Sequence, residues 1–277
     1  MSSCVAARKR ACLLAVLITL TGPAVAEDET YPNSNVKLDV TLPLQFTTNA
    51  LQTPTGARSD PFESPDLRLS ANWNPTKEIA FSFYGDTNTD AYSRVVSAND
   101  AAAVFGSLVT VTSATDKRLS YTINYEHRYV YSGIFKTGLY TGDDILASIA
   151  YDLGNPKTGL TLQPSAAAEY LFADDPSKQR YLYTFKVGYE QLVKAPWSVV
   201  ARPKLRIYEF TDSTNKGRQD IFPSIQVGIK YTLSDSAYIE TTVEYDKVFS
   251  NMPADKFESF TFSVSLNMSF TLFKDPR

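Results

Sequence analysis

Arg202, Lys204 and Arg206 stand at every second position of the stretch VVARPKLRIY, between apolar residues that include Val199, Ala201, Leu205 and Ile207. In an extended chain successive side chains point to opposite faces, so the three cations share one face and the apolar residues the other. A vertical row of fixed positive charges facing water favours anionic solutes, as rings of Arg and Lys do in anion pores. The same parity brings in Lys186 and Glu190 on the segment before, Gln226 and Lys230 on the segment after, and Glu240, Glu244 and Asp246 beyond it. Adjacent cations and carboxylates have a second use, since they neutralise one another and fill a narrow interior with salt bridges. Both readings of Arg202, Lys204, Arg206, Lys186, Lys230, Glu190, Glu240 and Glu244, a pore lining and a packed ionic interior, stand open at this level.

Other chemistry is thin. The chain holds a single histidine, His127, flanked by Glu126 and Arg128. A hydroxyl nucleophile needs a base within hydrogen-bond reach. His127 shares its parity with Tyr125 and Tyr129, which suits an interfacial residue better than a base, so no catalytic residue is expected. DTNTD, Asp86 to Asp90, offers oxygen ligands at alternate positions, but Ala91 stands where a calcium loop turns on Gly and no Glu closes it. It is expected to be a solvated loop. Asp143-Asp144 and Asp174-Asp175 are expected at loop tips, where acidic residues either share divalent cations with lipopolysaccharide or serve turn chemistry. No phosphate loop, nucleotide fingerprint, metal site or cofactor is expected.

The elements that carry these residues read as strands throughout. Period-two alternation recurs almost to the end and no window holds a helical apolar pattern. Phe260, Phe262, Val264, Leu266, Met268, Phe270 and Leu272 alternate with small polar residues in the last of them, and Val36 to Phe46 does the same in the first. Further strands are predicted at Pro65 to Asn74, at Ile79 to Phe83, and from Leu119 to Tyr125. A turn near Ser132-Gly133 leads to a fifth strand ending near Tyr140, and TGDD separates it from a sixth holding Ile145 to Tyr151. Six more follow at regular turn signals, making about twelve. Gly85 to Lys117 is expected to be a long connection, with AAAVFGSLVTV forming a short helix or a hairpin, and to set a constriction if it folds inward. The strands reach the roughly nine to eleven residues that cross a bilayer at a tilt. Short connections (NPTK, SG, GNPKTG, KAP, SDSA) alternate with mostly longer ones, and an even strand number puts both ends on the short-turn rim.

Residues 1–26 read as a secretory signal: Arg8, Lys9 and Arg10 precede the apolar run ACLLAVLITL, and Ala24-Val25-Ala26 supplies the small-residue cleavage pattern. Cleavage there removes Cys4 and Cys12, the chain's two cysteines, and so any disulfide or thiolate site. Losing three of 27 cations and none of 30 anions leaves a formal charge near −6, which argues against nucleic acid as a partner.

Together these features resemble the bacterial outer-membrane β-barrel superfamily: a cleavable signal, a cysteine-free mature chain, amphipathic strands and a final strand rich in outward aromatics. Aromatics near strand ends (Trp73, Tyr129, Tyr170, Phe172, Trp197, Tyr231, Phe260) suit interfacial girdles. Such barrels usually finish on an aromatic residue, whereas here Lys274-Asp275-Pro276-Arg277 follow Phe273. The resemblance implies an all-β, transmembrane, antiparallel up-and-down barrel over 27–277, in the outer membrane of a Gram-negative-type bacterium after Sec-type export. Its implied partners are outer-membrane lipid, lipopolysaccharide, periplasmic chaperones and the barrel-assembly machinery. The expected role is porin-like diffusion of small hydrophilic, anionic solutes; the alternative is a closed, salt-bridged barrel acting as a surface scaffold or adhesion protein.

Overall fold

A computed structural model describes residues 31–212, 215 and 217–275; the expected signal, 1–26, lies outside the described residues. The chain forms β1 (Asn33–Thr47), β2 (Asp60–Glu63), β3 (Asp66–Asn74), β4 (Ile79–Tyr92), β5 (Asp100–Thr112), β6 (Leu119–Ser132), β7 (Thr137–Tyr151), β8 (Leu160–Ala173), β9 (Arg180–Lys194), β10 (Trp197–Phe210), β11 (Gln219–Ser234), β12 (Ala237–Ser250) and β13 (Phe257–Lys274). Each strand pairs antiparallel with its sequence neighbour, except that β2 and β3 lie in line along β1 as one stave, interrupted at Ser64-Pro65. Pro65 has no amide to offer a ladder, which suits it to that break. β13 closes on β1, from Asn35 opposite Lys274 to Thr47 opposite Thr261. The result is a closed barrel of twelve staves. Closure gives every strand two partners, so no edge is left to satisfy in a solvent that cannot hydrogen-bond.

The burial pattern is inverted relative to a water-soluble protein. Leu44 is 63% exposed, Phe262 47% and Val227 46%, while Asp60 is 0% exposed, Asp144 2% and Thr242 3%. The apolar parity therefore looks outward along every stave, and the polar parity looks into the lumen. Two outward aromatic belts bound the apolar band. Trp73 stacks on Phe81 and Trp197 meets Tyr231 on the rim that holds both barrel ends. Tyr170, Phe172 and Tyr181 cluster toward the far rim, as do Tyr245 and Phe260.

Three sequence expectations change. Residues 85–117 are not a long connection: β4 continues to Tyr92, a turn over 93–99 follows, and AAAVFGSLVTV lies in β5, which pairs with β4 and β6 along its whole length. The alternation is hidden there because the outward residues of β4 shrink to Gly85, Thr87, Thr89 and Ala91 while inward positions of β5 hold the apolar Val104 and Leu108, and Phe105 covers the bare backbone of Gly85 opposite it. TGDD is no turn but the interior of β7, so the expected fifth and sixth strands are one. These two changes cancel in the strand count. The turn after Ser132 spans 133–136 and lies on the far rim, while 113–118 occupies the place on the terminal rim.

Candidate functional site in the barrel lumen

All eight charged residues expected on the inner face belong to the lumenal parity, and cross-strand register decides which of them meet. Arg202 is opposite Gln226 on β11, and Lys230 on β11 is opposite Glu240 on β12. Arg202 reaches past β11 to Glu240, donating from Nη1 to Oε1 at 2.6 Å and from Nη2 to Oε2 at 2.7 Å, with Gln226 Oε1 at 2.7 Å from Nη1. Lys230 donates to Glu190 at 3.0 Å and lies over the Tyr238 ring at 4.6 Å. Lys204 stands 3.8 Å from Glu244. Arg206 instead packs its guanidinium on the Phe222 ring at 3.9 Å. Among the described residues no carboxylate lies at ion-pair distance from Arg206 or Lys186. The basic row is thus half paired: Arg202 and Lys204 have a carboxylate at ion-pair distance, whereas Arg206 and Lys186 do not.

A second polar network, on the opposite wall, was not anticipated from the sequence. Arg68 on β3 binds Asp86 on β4 at 2.7 Å and covers the Tyr84 ring at 4.5 Å. The Tyr84 hydroxyl donates to Glu126 Oε1 at 2.6 Å, with Asn124 Oδ1 at 3.0 Å. Glu126 accepts from Arg128 at 3.1 Å, and Arg128 also pairs with the buried Asp144. Tyr84 can reach β6 only because Gly106 intervenes on β5: a Cβ there would stand 2.3 Å from the ring. The sequence pattern places Asp86 and Asp144 in loops, where no cross-strand partner is visible. The signal was present as Arg68, Asp86, Asn88 and Asp90 at even spacing.

The remaining expectations resolve into local chemistry. Asp86 to Asp90 is extended strand rather than a solvated loop, so Asp86, Asn88 and Asp90 stand in a row on the lumenal face about 7 Å apart instead of wrapping round one point, and the calcium-loop alternative falls. No group of three or more His, Cys, Asp or Glu able to hold a metal occurs among the described residues. Asp143 is outward on β7, accepting from the Tyr125 hydroxyl at 2.6 Å and standing 2.8 Å from His127 Nδ1. The His127 ring packs edge-on against Tyr129, within the far belt. Asp174 accepts from the Thr141 amide at 2.8 Å, which holds its carboxyl below the usual aspartate range, and Asp175 caps the Ser177 amide at 3.0 Å.

Two adjoining cavities, of about 250 and 310 Å³, open in the far half of the lumen. The first is lined in part by Asp90, Glu244, Asp246 and Tyr92, the second by Arg180, Tyr208, Phe210 and Arg218. Gln52, Phe222 and Phe257 line both.

No protein-family model matches the chain, and no curated protein does. Solved structures do. An outer-membrane channel from Pseudomonas putida F1 is 11% identical, with a TM-score of 0.61 over 89% of this chain and 99% of that one. The NanC porin is 8% identical, with a TM-score of 0.49 over 83% of this chain and 98% of that one. An anion-selective porin from Comamonas acidovorans is 9% identical, with a TM-score of 0.44 over 86% of this chain and 100% of that one. The first likeness establishes that the chain has the fold of an outer-membrane β-barrel.

Proposed function

We propose that the protein is an outer-membrane channel through which small hydrophilic solutes diffuse passively, without catalysis. One observation carries this reading: a barrel of twelve staves with a charged, hydrogen-bonding lumen and an apolar exterior. Eight strands give an interior that side chains alone fill, and diameter grows about linearly with strand number, so twelve give one about half as wide again. With strands about 4.8 Å apart and tilted about 40°, facing backbones stand about 24 Å apart. Side chains from one wall pair along that wall, as Arg202 does with Glu240, and leave the axis to water. The terminal rim faces the periplasm and the far rim the exterior, as the termini of even-stranded barrels do. Lipid, lipopolysaccharide and, during biogenesis, chaperones and the assembly machinery are its partners.

Anion preference rests on Lys186 and Arg206, whose charges face the lumen without a carboxylate at contact. Planar-bilayer recording across a KCl gradient tests both levels. A conducting protein whose reversal potential shifts toward cations on Lys186→Ala and Arg206→Ala supports an anion-favouring pore. A conducting protein whose reversal potential ignores both charges removes the preference, and a folded protein that never conducts removes the channel. The ion pairs Arg202–Glu240, Lys230–Glu190 and Arg128–Asp144 favour the second reading, a closed surface scaffold, which predicts that last outcome.

A further inference from the structure

We infer that the 48–59 loop, through Gln52, forms the constriction of this lumen and divides its far mouth into two lobes. The inference rests on the channel reading. The loop follows β1, and Gln52 lines one cavity with Asp90, Tyr92 and Asp246 and the other with Arg180, Tyr208 and Phe210. Around the ring the order from β1 is β13, β12, β11, β10, β9, so Arg180 on β9 stands five staves away, close to the opposite wall of a ring of twelve. A residue rooted at the end of β1 shares a cavity with Arg180 only where its loop leaves the rim and enters the mouth. The wall between the two lobes is therefore the loop, with Phe222 and Phe257 completing it from β11 and β13.

The loop is held in that position at both ends. Thr48 donates its amide to Phe260 O at 3.0 Å, and the Ala50 amide donates to Arg58 O at 2.8 Å. The buried Asn49 donates from Nδ2 to Thr53 O at 2.9 Å and to Glu258 O at 3.2 Å on the neighbouring stave, and its Oδ1 accepts from the Thr53 amide at 3.3 Å. Where the loop returns, Asp60 is fully buried and accepts from the amides of Arg94 and Val95 at 2.7 and 2.6 Å, tying it to the 93–99 turn. Gln52 itself has φ 51°, in the left-handed region that side chains other than Gly and Asn seldom adopt. Such a residue persists where its surroundings over-determine it, and such sites cluster at ligand clamps. Its carboxamide, exposed into the mouth, both donates and accepts, so it screens passing solutes by size and hydrogen bonding rather than by net charge.

The experiment uses single-channel conductance with Gln52→Gly, which keeps the left-handed turn while removing the side chain, and with Gln52→Cys, whose mature chain carries no other cysteine. Gln52→Gly is expected to raise conductance about twofold, since the narrowest segment sets the resistance. Attaching a bulky thiol reagent to Gln52→Cys is expected to remove more than half the current, while the same label on Thr115→Cys, in the opposite rim's 113–118 turn, leaves the current unchanged. Folded Gln52 variants with wild-type conductance, labelled or not, overturn the constriction while leaving the channel standing. A wild type that never conducts overturns the channel and this inference with it.

Discussion

Arg202 and Glu240 face one another across an entire intervening strand, joined by two parallel hydrogen bonds of 2.6 and 2.7 Å. Glu240 is 8% exposed, whereas the Arg202 side chain keeps 39% of its surface open to the lumen. Arg202→Ala leaves that carboxylate nearly buried and unpaired. Breaking a fully buried pair costs about 3–5 kcal/mol, and the partial exposure of Arg202 lowers the expected loss to about 2 kcal/mol. Reversible urea unfolding in lipid or detergent measures it. The double replacement Arg202→Met with Glu240→Gln is expected to cost less than Arg202→Ala alone. If the double variant costs as much as the sum of its parts, the pair is not a unit.

Gly106 is the gap through which Tyr84 passes. Gly106→Ala places a methyl inside the Tyr84 ring and forces either the ring or the β5 backbone aside, at about 1–3 kcal/mol. Tyr84→Phe loses the hydrogen bond to the Glu126 carboxylate, worth about 1.5–3 kcal/mol. In a Tyr84→Ala background Gly106→Ala is expected to be nearly neutral. Equal costs of Gly106→Ala with and without the ring sink this account of the glycine.

Opposite parities on β13 must respond oppositely to charge. Phe262→Arg puts a guanidinium on the lipid face just inside the Phe260 belt and is expected to cost about 1–2 kcal/mol, between the interfacial and midplane values. Ser263→Arg, the next residue, faces the lumen and is expected to fold with little loss. The comparison is read from folding yield into liposomes and from unfolding midpoints. A reversed order of the two variants contradicts the outward orientation.

The 113–118 turn carries a carboxylate outside the membrane band. Arg118 donates to Asp116 at 3.1 Å and the Tyr151 hydroxyl does so at 2.8 Å, and these bonds hold the Asp116 carboxyl down to about 2. A depressed folded-state pKa adds stability that is fully present above the ordinary aspartate range and disappears as pH falls through about 2. Carboxyl-carbon NMR of Asp116 is expected to titrate below the other exposed aspartates, and Tyr151→Phe to move it upward. A titration at the ordinary value in both proteins refutes the bond.

Much of this architecture was legible from residues alone, because the period-two signal is local and every long stave repeats it. Phe260 to Leu272 and Val36 to Phe46 show an apolar and a polar face whatever they pair with, and the parity of Arg202, Lys204 and Arg206 follows from their own spacing. Where outward residues shrink to Gly, Ala and Thr, as in Gly85 to Ala91, or inward ones turn apolar, as Val104 and Leu108 do in β5, the contrast between faces fades, and a strand passes for a loop. TGDD misleads for the converse reason. Polar residues signal turns in proteins with apolar interiors, but here Asp144 faces a polar one and finds Arg128, while Asp143 finds Tyr125 and His127 outside.

Sequence by itself determined which face of each strongly alternating strand is oily and which is ionic, since side-chain alternation is a property of the single extended chain. Only the tertiary structure decided which charges are paired and which residues share the cavities of the far mouth. Register and closure bring Glu240 to Arg202 from 38 residues away and leave Arg206 on Phe222. They also bring Gln52 and Arg180, five staves apart round a closed ring, to the lining of one cavity, which no local pattern encodes because it exists only once β13 has met β1.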